Sequence, residues 1–144
     1  TGEDTLSLHD ALPISMGEKL NKKILIVEDE APLRNAVTDI LSFEGFTVFQ
    51  AKNGQEGLDL ALKEHPDLIL LDLMMPIMDG LTMLEKLRQD AEFGKTAAVI
   101  LLTNINDPEK VAMATEAGSY DFLVKSDWNI EDVVKKIKGR LGIA

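Results

Sequence analysis

Three apolar runs constrain this chain more than anything else in it. "ILIV" at 24–27, "LILL" at 68–71 and "AAVILL" at 97–102 are continuous, with no polar residue at alternate positions. A strand with one face in water alternates, so a run without alternation is covered on both faces. The first run is followed by a stretch whose apolar residues recur at spacings of three and four. This stripe is Leu33, Ala36, Val37, Ile40 and Leu41, with Pro32 suited to the first turn and Gly45 to the end. "FTVFQ" at 46–50 reads as a second strand and "FLV" at 122–124 as a fifth. Asn53 can cap a second helix, which must stop before Pro66. Leu81, Leu84 and Leu87 mark a third helix, and a fourth runs from near Asp107-Pro108 to Gly118. Asn129 can cap a fifth, with Ile130, Val133, Val134, Ile137 and Leu141 as its apolar face. Five alternations with short, right-handed connections give an α/β fold: an open parallel sheet between two helical layers.

Composition narrows the function. A formal net charge of -10 argues against nucleic-acid binding, which needs a basic face. Lys135, Lys136, Lys138 and Arg140 cluster near the end of the last helix, where they complement its dipole. The chain has no cysteine, so it has no disulfide framework and no thiolate metal site. No apolar run reaches the length of a membrane span. These features lead to the expectation of a cytoplasmic protein with no membrane insertion.

Four strands end in chemically active residues. The first runs into Glu28 and Asp29, the third into Asp72, the fourth into Thr103 and the fifth into Lys125. In an open parallel sheet these ends share one edge, where ligands bind. Crowded carboxylates invite a hard cation such as Mg²⁺. A carboxylate can also act as a nucleophile and become an acyl phosphate. A metal and a lysine would neutralise incoming phosphoryl oxygens, and a threonine hydroxyl can hydrogen-bond one.

The motifs "ILIVEDE", "DLILLDLMMPIMDG", "VILLT" and "AGSYDFLVK" stand in the order and spacing of a known family. From Lys23 to about Leu141 the chain resembles a response-regulator receiver domain, CheY-like, of two-component signalling. The resemblance implies a flavodoxin-like (βα)5 three-layer sandwich with a five-stranded parallel sheet of order 2-1-3-4-5. It implies that Asp72 is the phosphoacceptor and that Glu28 and Asp29 hold Mg²⁺, Asp29 more directly. The Met74 carbonyl would complete the protein's metal ligands. Lys125 would neutralise the phosphoryl group and Thr103 would bond it. Phe122 falls at the aromatic switch, whose rotamer tracks Thr103. Implied partners are a sensor histidine kinase or phosphotransfer protein and a downstream protein, met through the face of the fourth helix, fifth strand and fifth helix. Kinase choice in this family resembles a property of the first helix surface, here Arg34, Asn35, Thr38 and Asp39. The implied assembly is a monomer or a phosphorylation-dependent dimer. Activity on this reading is confined to the chain's own aspartyl phosphorylation and slow dephosphorylation.

Several positions depart from the family pattern. Ser126-Asp127 stands where proline usually follows the lysine, and a cis bond before a non-proline residue is costly. Asn104 replaces a very small residue. Met74 and Ile105, bulky and apolar, are poorly suited to orient an attacking water, so self-dephosphorylation is expected to be slow. Single residues also have plainer readings. Phe122 on its own reads as core, His65 as exposed and outside phosphotransfer, and Trp128 as either partner contact or core edge. Two other functions share these residues. One is a phosphorylation-independent interaction module, although degenerate receivers usually lose the acidic pair, the Asp or the Lys. The other is a haloacid-dehalogenase-type phosphatase, which needs a second acid where Met74 stands.

The segment "TLSLHDALPIS" at 5–15 is not needed by any of this. It lacks the basic start of a signal peptide, and His9 and Asp10 interrupt its apolar stretch. Thr5 through Ile14 is the translation of act ctt tcc cta cac gac gct ctt ccg atc, a string resembling part of a sequencing-library adapter. Residues 1–15 are therefore expected to be an unstructured, non-native leader, and 16–144 the receiver domain.

Overall fold

The computed structural model describes residues 21–73, 75, 77–103, 108–116, 121–124 and 129–143, and of Thr103, Lys110, Val111 and Ala114 the backbone alone. The leader, Met74, Asn104, Ile105, Gly118, Lys125, Ser126, Asp127 and Trp128 lie outside this set.

Strand and helix alternate throughout: β1 (Lys23–Val27), α1 (Ala31–Phe43), β2 (Thr47–Ala51), α2 (Gly54–Glu64), β3 (Leu68–Asp72), α3 (Gly80–Arg88), β4 (Val99–Thr103), α4 (Pro108–Glu116), β5 (Asp121–Val124) and α5 (Ile130–Leu141). All strand pairs are parallel, in the order β2-β1-β3-β4-β5. This is the flavodoxin-like (βα)5 arrangement. The order has a direct physical cause. The three strands that do not alternate, β1, β3 and β4, occupy the centre, where helices cover both faces. β2 and β5 form the edges and are only partly buried.

The strand period of two sorts the core into two layers. Leu25, Val27, Ile69, Leu71, Val99 and Leu101 pack with Ala61 of α2 and with Leu84 and Leu87 of α3. Ile24, Ile26, Leu68, Leu70, Ile100 and Leu102 pack on the other side with Val37 and Leu41 of α1 and with Val133 and Ile137 of α5. Side-chain caps fix where most of these helices begin. Asn53 accepts from the Glu56 amide, and Asp79 accepts from the Thr82 amide at 2.8 Å. Asn129 and Asp132 form a reciprocal capping box on α5. α1 has no side-chain cap and begins instead with a proline in its first turn.

Three expectations shift. Phe46 lies before β2, because its amide donates to Leu41 O at the end of α1 and its ring is buried. Its apolar character serves packing, not pairing. β4 begins at Val99, two residues later than the apolar run, and Ala97 O is taken by Arg88 Nη1 at 2.9 Å. Phe122 is not core: it sits on the short edge strand β5 and is 44% exposed. His65 is exposed, as expected. It ends α2 in the left-handed conformation and stacks on Phe93 at the sheet end opposite Asp72. No helix among the described residues is long and apolar enough to cross a membrane.

Candidate functional site

Val27 pairs with Leu71 in neighbouring strands, so the next residue of each chain segment, Glu28 and Asp72, reaches the same sheet edge. One carboxylate oxygen from each of Glu28, Asp29 and Asp72 lies within 4.8 Å of the others. Glu28 and Asp72 are buried, while Asp29 is exposed. Like charges this close repel, and the low polarity around the buried pair strengthens the repulsion. The donor set suits a hard divalent cation, since opposite oxygen ligands of Mg²⁺ stand about 4 Å apart. The exposed side of Asp29 leaves room for the waters such an ion retains.

The turn that carries the acidic pair is held at several points. The Glu28 amide donates to Ala51 O at 3.0 Å, and Glu28 Oε2 accepts from the Glu30 amide at 3.0 Å. Arg34 Nη1 donates to Glu28 O at 2.8 Å. The segment after Asp72 is folded back in the same way. The Gly80 amide donates to Leu73 O at 3.0 Å, and the Gly54 amide donates to Met78 O at 2.9 Å. A Cβ on Gly80 would strike the carbonyl of Asp72, and one on Gly54 would strike the carbonyl of Met78. Only glycine permits these approaches. Between them Ile77 has φ 69° and is 84% exposed, a conformation costly for a β-branched residue.

Asp72 pairs with Leu102, so Thr103, one residue on, ends β4 at the same edge. Thr103 pairs in turn with Val124, the residue before Lys125. The structure thus brings together Glu28, Asp29, Asp72 and the Thr103 backbone. Met74 and Lys125 fall outside the described residues. Phe122 stands two residues before Val124, partly in solvent.

A model of the response regulator receiver domain family matches residues 24–138. The chain belongs to this family. Sporulation initiation phosphotransferase F of Bacillus subtilis is 35% identical to this receiver over 119 residues, covering 81% of this chain and 94% of that protein. The probable transcriptional regulator ycf27 of Porphyridium aerugineum is 36% identical over 104 residues, covering 72% of this chain. The receiver spans only 42% of that regulator's length. Among solved structures, a CheY-like response regulator receiver domain protein from Methanospirillum hungatei superposes with a TM-score of 0.77 at 31% identity, covering 84% of this chain and 94% of that one.

Two features of the receiver escaped sequence reasoning. Gly54 and Gly80 gave no local signal beyond being glycines next to helix caps. Arg34 read as a partner-facing residue, yet its guanidinium reaches back to the acidic turn.

Proposed function

We propose that this chain is a phosphorylation-controlled signalling receiver. A phosphohistidine on a sensor histidine kinase or phosphotransfer protein donates a phosphoryl group to Asp72. The observation that carries the proposal is the meeting of three carboxylates, two of them buried, at the end of adjacent strands. An Asp72 carboxylate oxygen attacks phosphorus, the O–P bond forms and the P–N bond breaks. The leaving imidazole nitrogen keeps the electron pair and takes a proton from water.

Glu28, Asp29 and Asp72, with the Met74 carbonyl, are the residues we assign to Mg²⁺. When bound, the ion supplies positive charge to the transferring phosphoryl oxygens. Lys125 adds a second positive charge, and Thr103 bonds the phosphoryl group after transfer. The new charge biases a two-state equilibrium that Thr103 and Phe122 share. Phe122 begins this cycle partly exposed, which supports an outward starting rotamer. Output then passes through protein contacts of the face formed by α4, β5 and α5. Cytoplasmic location belongs to the same reading. The likeness to a phosphotransferase over 94% of its length supports a phosphorelay role.

Incubation with acetyl phosphate and Mg²⁺, followed by intact mass spectrometry, tests the proposal. One added phosphoryl group is expected, and it should be absent from Asp72→Ala. No adduct on the wild type, or the same adduct on the variant, overturns the reading.

A further inference from the structure

Arg34 lies in the first turns of α1, six residues beyond Glu28, and its side chain turns back toward the strand it follows. Nη1 donates to Glu28 O at 2.8 Å, a charge-assisted bond. The Glu28 carbonyl belongs to the peptide unit that also contains the Asp29 amide. That unit is planar, so fixing its oxygen fixes the direction in which the chain leaves toward Asp29. Glu28 is held independently through its own amide and its Oε2. Asp29 is exposed, so packing restrains it little.

The arginine is itself anchored. Its amide donates to Glu30 O at 2.9 Å, and its carbonyl accepts from Thr38 Oγ1 at 2.7 Å. Gln50 Nε2, from edge strand β2, donates to Thr38 Oγ1 at 2.7 Å and to Asn35 Oδ1 at 3.2 Å. A polar chain therefore runs from the sheet edge through α1 to the acidic turn. Arg34 lines an open polar pocket with Gln50, Ala51, Lys52 and Glu56, so truncating it opens no closed cavity.

We infer that Arg34 is a positioning residue for the metal site, orienting the Glu28–Asp29 peptide so that Asp29 faces Asp72. The inference rests on the Mg²⁺ reading of the proposed function. It makes a prediction whose sign separates it from simpler roles. A cation near an acidic cluster, acting through charge alone, weakens Mg²⁺ binding, so its removal should tighten binding. A side chain that only supports the helix should leave affinity unchanged. A positioning residue does the reverse of the first: its removal weakens binding.

Titration calorimetry with MgCl₂ on the full chain reads the difference, with thermal melts in EDTA as a check on folding. Arg34→Ala should raise the Mg²⁺ dissociation constant on the order of tenfold, as for other residues that orient metal ligands. Arg34→Lys keeps the charge and one donor and should fall between. Unchanged or tighter binding in Arg34→Ala overturns the inference. If that variant fails to fold, Arg34→Lys decides, and wild-type affinity there combined with unaltered melting also overturns it. A wild-type chain that takes up no Mg²⁺ overturns the proposed function and this inference with it, whereas wild-type uptake with an indifferent Arg34 overturns this inference alone.

Discussion

Replacing Asp72 by asparagine should stabilise the metal-free protein. The substitution keeps the shape of the side chain and one acceptor oxygen while removing its charge. At the 4.8 Å limit of the cluster, two unit charges repel by about 3.5 kcal/mol at an effective dielectric of about 20, and by about 0.9 kcal/mol in bulk water. The buried Glu28 calls for a value toward the first figure, and the exposed Asp29 for one toward the second. Each charge is spread over two oxygens, which lengthens the effective separation. The interactions Asp72 already makes, and the positive charge assigned above to Lys125, offset part of this repulsion, leaving a net gain of about 1–2 kcal/mol, or a rise of roughly 3–7 °C in Tm for a chain of this size. Thermal melts in EDTA read the gain directly. Repeating them in saturating Mg²⁺ should narrow the gap, because an ion at a hundred times its Kd adds about 2.7 kcal/mol to the wild type. An Asp72→Asn protein no more stable than wild type in EDTA would refute the repulsion argument. A gap that persists undiminished in Mg²⁺ would refute the link between the cluster and the ion.

Two other substitutions probe the surroundings. Gly80→Ala should lower the urea midpoint by an amount corresponding to about 1–3 kcal/mol, because the new Cβ meets the backbone carbonyl of Asp72 and a main-chain atom cannot turn aside. Asp90 accepts from the Gly94 and Phe93 amides, which holds its carboxyl below the ordinary value of 3.8. Its contribution is complete above that ordinary value and is lost as pH falls through the lower folded one, so Asp90→Asn should melt earlier than wild type at pH 7 and converge with it in acid.

Much of this fold was legible because its central strands carry a composition that only one position in a sheet allows. "ILIV" and "LILL" have no polar face, and they become β1 and β3 with helices on both sides. Asn53 and Asn129 announced helix starts because their side chains bond amides three residues on. Phe46 was misplaced because apolar character reports burial without saying whether the backbone beside it pairs with a strand or closes a helix. Phe122 stands on the fifth strand as expected, and only its plain reading as core fails. An aromatic at a sheet edge has a covered side and an open side, and its letter is the same as that of a core residue. The acidic cluster was legible through the strand ends, since topology alone carries Glu28 and Asp72 to one edge. Arg34 was not, because a side chain that folds back six residues leaves no periodic mark. Nor was the left-handed Ile77, which is held between the bonds from Gly54 and Gly80 against its own preference.

The bond from Gly54 to Met78 has a consequence for how such proteins can be recombined. It joins the start of α2 to the connection between β3 and α3, two pieces separated in sequence by the whole of β3. A chimaera that imports α2 from a relative lacking glycine at its first position would push a side chain into the Met78 carbonyl and displace the peptide segment next to Asp72. The two pieces therefore form one heritable unit: either they travel together, or the incoming helix must open with glycine.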